Sequence, residues 1–174
     1  SKGDYSAQNI GTTSDFTLDA SDAVTGGIAI STISAEQISI VLGSGSGHVH
    51  LGNGWNWHDV MESRNSFTLD AGSFAGEIET RIAASGEIMI LGSDASQGLF
   101  SAGVISTNSG FTLDGTESNG NYEYHIGRIS AEQVSIIMDA GSGSYTFGGG
   151  WSSWQDGIFA DDSISIDVGA LRVS

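Results

Sequence analysis

The octapeptide ISAEQISI at Ile33–Ile40 returns as ISAEQVSI at Ile129–Ile136, with seven of eight letters identical at an offset of 96 (129 − 33). Repetition of this kind constrains a fold more than any other sequence property, because each copy must take the same local structure and pack on its neighbours in the same way. The match extends on both sides. Phe16 answers to Phe111, LGNGW at Leu51–Trp55 to FGGGW at Phe147–Trp151, and WNWHD to WSSWQD with one insertion. Nearly all of residues 16–60 is therefore written again as 111–157.

Each large unit divides further. The string FTLD stands at Phe16, Phe67 and Phe111, and a looser phrase (apolar, any, apolar, Asp or Gly, then two small residues) ends its apolar pair at Leu18, Leu42, Leu69, Leu91, Leu113, Met138 and Ile166. Between these phrases lie second β-like runs such as GIAISTI, HVHLG, EIETRIA and YEYHIGRI. Within FTLD the apolar residues alternate with polar ones, the period of a strand with one buried face. One module of about 22 residues cannot cover that face alone, whereas stacked copies make a continuous apolar column. The pattern predicts a single all-β repeat domain over residues 1–174. It is a parallel β-helix or β-roll solenoid of about six coils of 22–28 residues, starting near 16, 38, 67, 88, 111 and 134, with a partial coil at 164. A β-sandwich or β-prism is the alternative.

Composition agrees with short strands and tight turns: 26 glycines, no proline and no cysteine. Without cysteine there is no disulfide or thiolate metal site, so an exported chain would need other support, such as bound calcium. Twenty-one acidic residues against five basic ones, a formal net charge of −16, argue against nucleic acid as a partner. No run approaches the ~20 apolar residues of a membrane helix, so no membrane insertion is expected. No signal peptide opens the sequence.

Asp19, Asp70, Asp114 and Asp139 fall at strand ends before turns. They read either as Asx-turn formers, each accepting a backbone N–H two residues on, or as a carboxylate ladder holding Ca2+. The glycine-rich nonapeptide calcium repeat is not present as written. His48 and His50 share one face of a strand, with His58 eight residues on, a plausible start for zinc; exposed strand histidines are the plainer reading. The repeat replaces them by Ser144, Thr146 and Gln155. Trp55 and Trp57, answered by Trp151 and Trp154, occur where the module is lengthened, so two aromatic loops are expected at equivalent corners. Such loops cover the flank, anchor a neighbouring subunit, or stack on sugar rings. No nucleophile elbow or phosphate loop is present, and no enzyme activity is expected.

FTLDASDAVTGGIAIS and FTLDAGSFAGEIETRIAAS resemble the repeats of large bacterial surface proteins, the S-layer proteins and repeat-rich adhesins exported by type I secretion. The resemblance implies a secreted, cell-surface structural protein that self-assembles into an S-layer, sheath or filament, with calcium at the corner aspartates Asp19, Asp70, Asp114 and Asp139. The alternative is a carbohydrate-binding or adhesive module that meets cell-surface polysaccharide through Trp55, Trp57, Trp151 and Trp154.

Overall fold

A computed structural model of the chain describes residues 4–22, 26–52, 60–95, 97–116, 121–138, 144–148 and 156–167. Among them the regular structure is all β: β1 (Tyr5–Gly11), β2 (Phe16–Ala20), β3 (Ile28–Ala35), β4 (Ile38–Leu42), β5 (His48–Leu51), β6 (Met61–Ser63), β7 (Phe67–Asp70), β8 (Glu77–Ala84), β9 (Ile88–Leu91), β10 (Gln97–Thr107), β11 (Gly110–Gly115), β12 (Asn121–Met138), β13 (Ser144–Phe147) and β14 (Gly157–Asp167). Every strand pairing is parallel, and the described strands form one continuous sheet. The fold is a β-solenoid. Its layers, in order, are β1 with β2, β3 with β4, β5 and β6 with β7, β8 with β9, β10 with β11, β12 by itself, and β13 with β14. The expected coil starts at 16, 38, 67, 88, 111, 134 and 164 fall one in each layer.

The burial pattern divides each layer into three sides. In β3, Ile28 and Ile30 are buried, Ser31 and Thr32 both face outward, and Ile33 and Ala35 are buried again. Two successive outward residues turn the chain without breaking the strand, which gives side a (28–30) and side b (33–35). Glu36 and Gln37, exposed together, make the next corner, and Ile38, Ile40 and Leu42 line side c. A turn rich in glycine and serine closes the triangle. These turns run so close that a Cβ on Gly47 would lie 2.1 Å from the Gly26 carbonyl oxygen, and one on Gly76 would lie 2.0 Å from that of Gly47. Only glycine lets successive layers meet there.

Register turns the repeat into columns. Side b stacks Ile10, Ile33, Met61, Ile82, Ile105, Ile129 and Ile158. Side c stacks Leu18, Ile40, Leu69, Ile90, Leu113, Ile136 and Ile166. β-branched and leucine side chains pack well on a pleated, fully covered surface, and parallel sheets need that cover. The side c columns correct the phrase alignment read from the sequence. Leu42 and Met138 pair with Ala20 and Gly115, and Leu91 pairs with Asp70 and Asp114. Only Leu18, Leu69, Leu113 and Ile166 occupy the position the phrase assigned to all seven.

The true unit is a pair of layers. Along side c the first inward residue runs Phe16, Ile38, Phe67, Ile88, Phe111 and Val134, ring on aliphatic in turn. At two of these steps the last inward residues complement the first: Ala20 of the Phe16 layer meets Leu42 of the Ile38 layer, and Gly115 of the Phe111 layer meets Met138 of the Val134 layer, whereas the Ile88 layer carries Gly92 there. The corner before side c alternates too. Thr12, Ser63 and Thr107 hold inward hydroxyls, each accepting the N–H two residues on (Ser14 at 3.0 Å, Asn65 at 3.3 Å, Ser109 at 3.1 Å). Ser63 also donates to the Glu36 carbonyl of the layer before at 2.9 Å, and Thr107 to that of Gly86. Ala35 and Ala84 fill the intervening layers. The FTLD strings mark alternate layers, which is why their spacing spans two modules.

Candidate functional site

The aspartates of FTLD sit in one outward column of side c: Asp19, Val41, Asp70, Leu91, Asp114, Ile137 and Asp167. Carboxylates alternate with apolar residues, so successive aspartates stand two layers apart, about 9.6 Å at the usual strand spacing. Each described corner aspartate forms an Asx-turn. Oδ1 of Asp19 accepts the Ser21 N–H at 3.0 Å, that of Asp70 the Gly72 N–H at 2.9 Å, and that of Asp114 the Thr116 N–H at 3.0 Å together with the Thr116 hydroxyl at 2.7 Å. Hydrogen bonds from the Ser21 hydroxyl and then the Ser21 N–H hold the Asp19 carboxyl below its ordinary pKa, against a smaller opposing effect of desolvation. Asp139 lies outside the described residues, and in its layer the column is held by Ile137. Among the described residues no three His, Asp, Glu or Cys side chains converge as a metal would require.

Trp55, Trp57, Trp151 and Trp154 also lie outside the described residues, but the strands on either side fix where their segments join the solenoid. β5 ends with Leu51 against Thr80 and β6 resumes with Met61 against Ile82. β13 ends with Phe147 against Ile126 and β14 resumes with Gly157 against Arg128. Both segments thus interrupt the line at the bend between sides a and b. The departures share one backbone device: Gly52 and Gly148 each have φ 82°, and their N–H groups bond the Ile30 carbonyl at 2.8 Å and the Ile126 carbonyl at 2.9 Å. That conformation favours glycine.

The chain matches no protein-family model, no curated protein and no solved structure. Its chemistry must be read from its own surfaces.

Two surfaces stand out. The first is the outer face of side a, where the alternation H-V-H at 48–50 lies beside E-I-E at 77–79, with Val49 paired to Ile78. His48 Nδ1 lies 3.1 Å from Glu77 Oε2 and His50 Nδ1 2.8 Å from Glu79 Oε2, while the two imidazoles stack at 6.1 Å. His125 is arranged differently, turned by Nε2 toward Glu123 of its own strand at 3.3 Å. Reading the histidines alone missed their partners, because the glutamates are 29 residues away and meet them only through register. The matched alternation around an apolar centre was the available signal.

The second surface is the pair of terminal layers. Ile164 and Ile166 hold inward positions of side c yet are 51% and 48% exposed, whereas Ile88 and Ile90 in the same columns are 0% and 1% exposed. Among the described residues β14 pairs only with β12, and at the opposite end β1 pairs only with β3 and β2 only with β4. Tyr5 is exposed, and Phe16 and Leu18 are half-buried. Between these ends the interior is a continuous apolar core. Tyr122 is buried with no partner for its hydroxyl, and burial, with Tyr124 beside it, raises its pKa well above the phenolic range.

Proposed function

We propose that the chain is a structural module of a bacterial cell surface, exported and assembled end to end with copies of itself into a layer, sheath or filament. The observation that carries this reading is the half-exposed pair Ile164 and Ile166, which stand in core columns with no layer above them among the described residues. Exposed core positions and strand edges free on one side favour addition of another strand layer.

The two ends also fit each other in pattern. Within the chain, a layer with Ala and Ile at the corner and start of side c (Ala35 and Ile38; Ala84 and Ile88) is followed by one with a hydroxyl and Phe (Ser63 and Phe67; Thr107 and Phe111). The last described layer carries Ala160 and Ile164, and the first carries Thr12 and Phe16. A second copy stacked on β14 in parallel register therefore repeats a step the fold already makes twice.

Along side c the junction differs from those internal steps in its outward column. Asp167 and Asp19 fall in adjacent layers, about 4.8 Å apart along the column rather than twice that. Two carboxylates that close repel unless a cation lies between them, and Ca2+ with its oxygen preference suits the position. The location at the cell surface rests on the resemblance of the FTLD phrases to surface-protein repeats, with the acidic, cysteine-free composition in support.

Sedimentation velocity and electron microscopy, with millimolar calcium and with a chelator, test the reading. The expected result is concentration-dependent rods in calcium, shortened by chelator, and a monomeric but folded I164K/I166K variant. A chain that stays monomeric at high concentration in calcium defeats the proposal.

A further inference from the structure

The paired histidines on side a have no part in end-to-end stacking, and their arrangement carries a separate conclusion. An ionised carboxylate can only accept a hydrogen bond, so Nδ1 of each ring is the donor in the contacts of His48 with Glu77 at 3.1 Å and His50 with Glu79 at 2.8 Å. In the neutral ring Nε2 then keeps its lone pair. A carboxylate on one ring nitrogen and a metal on the other is the arrangement by which histidine ligands are oriented and made more basic. Two such rings stand side by side here, nearly parallel, with an interplanar angle of 14° and centroids 6.1 Å apart. Imidazoles that share one tetrahedral ion at Nε2 distances of about 2.0–2.1 Å have centroids on the order of 5 Å apart. The side chains are 67% and 46% exposed, so both rings have room at the surface to turn their Nε2 atoms toward one ion.

We propose that His48 and His50 form a bidentate site for a borderline divalent transition ion such as Zn2+ or Ni2+, with Glu77 and Glu79 as positioning residues and water completing the coordination. The choice of ion follows from the donors: two neutral imidazoles suit Zn2+, Ni2+ and Cu2+, whereas Ca2+ and Mg2+ take oxygen ligands. Glu77 and Glu79 remain on Nδ1, in keeping with the absence of three converging ligands among the described residues.

Calorimetric titration of the intact chain with Zn2+, followed by Ni2+ with NMR detection of the imidazole signals, tests the site. The expected result is one saturable ion, paramagnetic broadening by Ni2+ centred on His48 and His50, and no competition from Ca2+. H48N and H50N each weaken binding at least tenfold. E77Q/E79Q, which keeps both imidazoles, weakens it about tenfold, the scale of an outer-shell loss. H125N leaves it unchanged, since that ring presents a different nitrogen to its carboxylate and has no imidazole beside it among the described residues. No saturable binding, or equal affinity in H50N and the parent chain, overturns the site; equal affinity in E77Q/E79Q overturns the role given to the glutamates. All the substituted side chains are exposed or partly so, and unchanged circular dichroism verifies that each variant folds.

Discussion

The fourth and last described layers place the same residue types in the same columns with different outcomes. Ile88 and Ile90 on β9 have a layer on each side and are sealed; Ile164 and Ile166 on β14 have one neighbouring layer among the described residues and lie half open. The local sequences IMI and ISI differ little. Burial in this fold is a property of stacking, so each apolar side chain is worth what its two neighbours make it worth. That is why a short module repeated many times is stable where one copy is not, and why the ends are the natural place for association.

The largest test of this contrast is truncation in matched columns. Ile90→Ala should cost about 2–5 kcal/mol by thermal or denaturant unfolding, the range for a fully enclosed isoleucine. Ile166→Ala should cost about 0.5–1 kcal/mol in dilute solution. If end-to-end assembly occurs, the Ile166→Ala cost grows with protein concentration while that of Ile90→Ala does not, because only the first residue gains cover by mass action. Equal costs at all concentrations would erase the distinction between the two layers.

Two intermediate tests follow. Gly52 and Gly148 have the same φ of 82°, and alanine at either should cost about 1 kcal/mol locally. Gly52 lies among stacked layers, so its loss should lower the global unfolding temperature. Gly148 lies in the last described layer, so its loss should appear as faster hydrogen exchange in β13 and β14 with little change in the global transition. Thr80 reverses the usual direction. Its hydroxyl is buried in the column between Leu51 and Ala102 without a hydrogen-bond partner. Thr80→Val keeps the shape, removes the orphan group and should stabilise the fold by about 1 kcal/mol.

The smallest effect is electrostatic. The folded pKa of Asp19 lies below the ordinary 3.8, so its contribution is fully present above that value and is lost as pH falls through the lower folded value. Asp19→Asn should therefore leave a slightly flatter loss of stability between about pH 4 and pH 2, and little difference at neutral pH.

Much of the fold was legible because a period of two and a repeat of whole modules need no tertiary information. Two of the three slips came where the alternation allows them, while Leu91 was read one residue out of place, on the opposite face from Leu18. Sliding a strand by two residues keeps every side chain on the same face, so Leu42 and Met138 looked equivalent to Leu18 until register set them beside Ala20 and Gly115. Of the candidate sites, the aspartate corners could be read from FTLD and the small residues that follow, since an Asx-turn is local. The pairing of His48 with Glu77 could not, because nothing in either segment points to the other before the layers between them are counted.

The alternation of the layers has a consequence for how such a chain can change length. Removing the fourth layer alone would bring Phe67 against Phe111 and Asp70 against Asp114, crowding rings on one face of the strand and like charges on the other. Removing the third and fourth together would set Ile38 beside Phe111 and Val41 beside Asp114, a join the protein already contains in other copies. From β2 to β11 the arithmetic of side c has parity: even steps preserve its alternation, and odd ones set like residues beside each other.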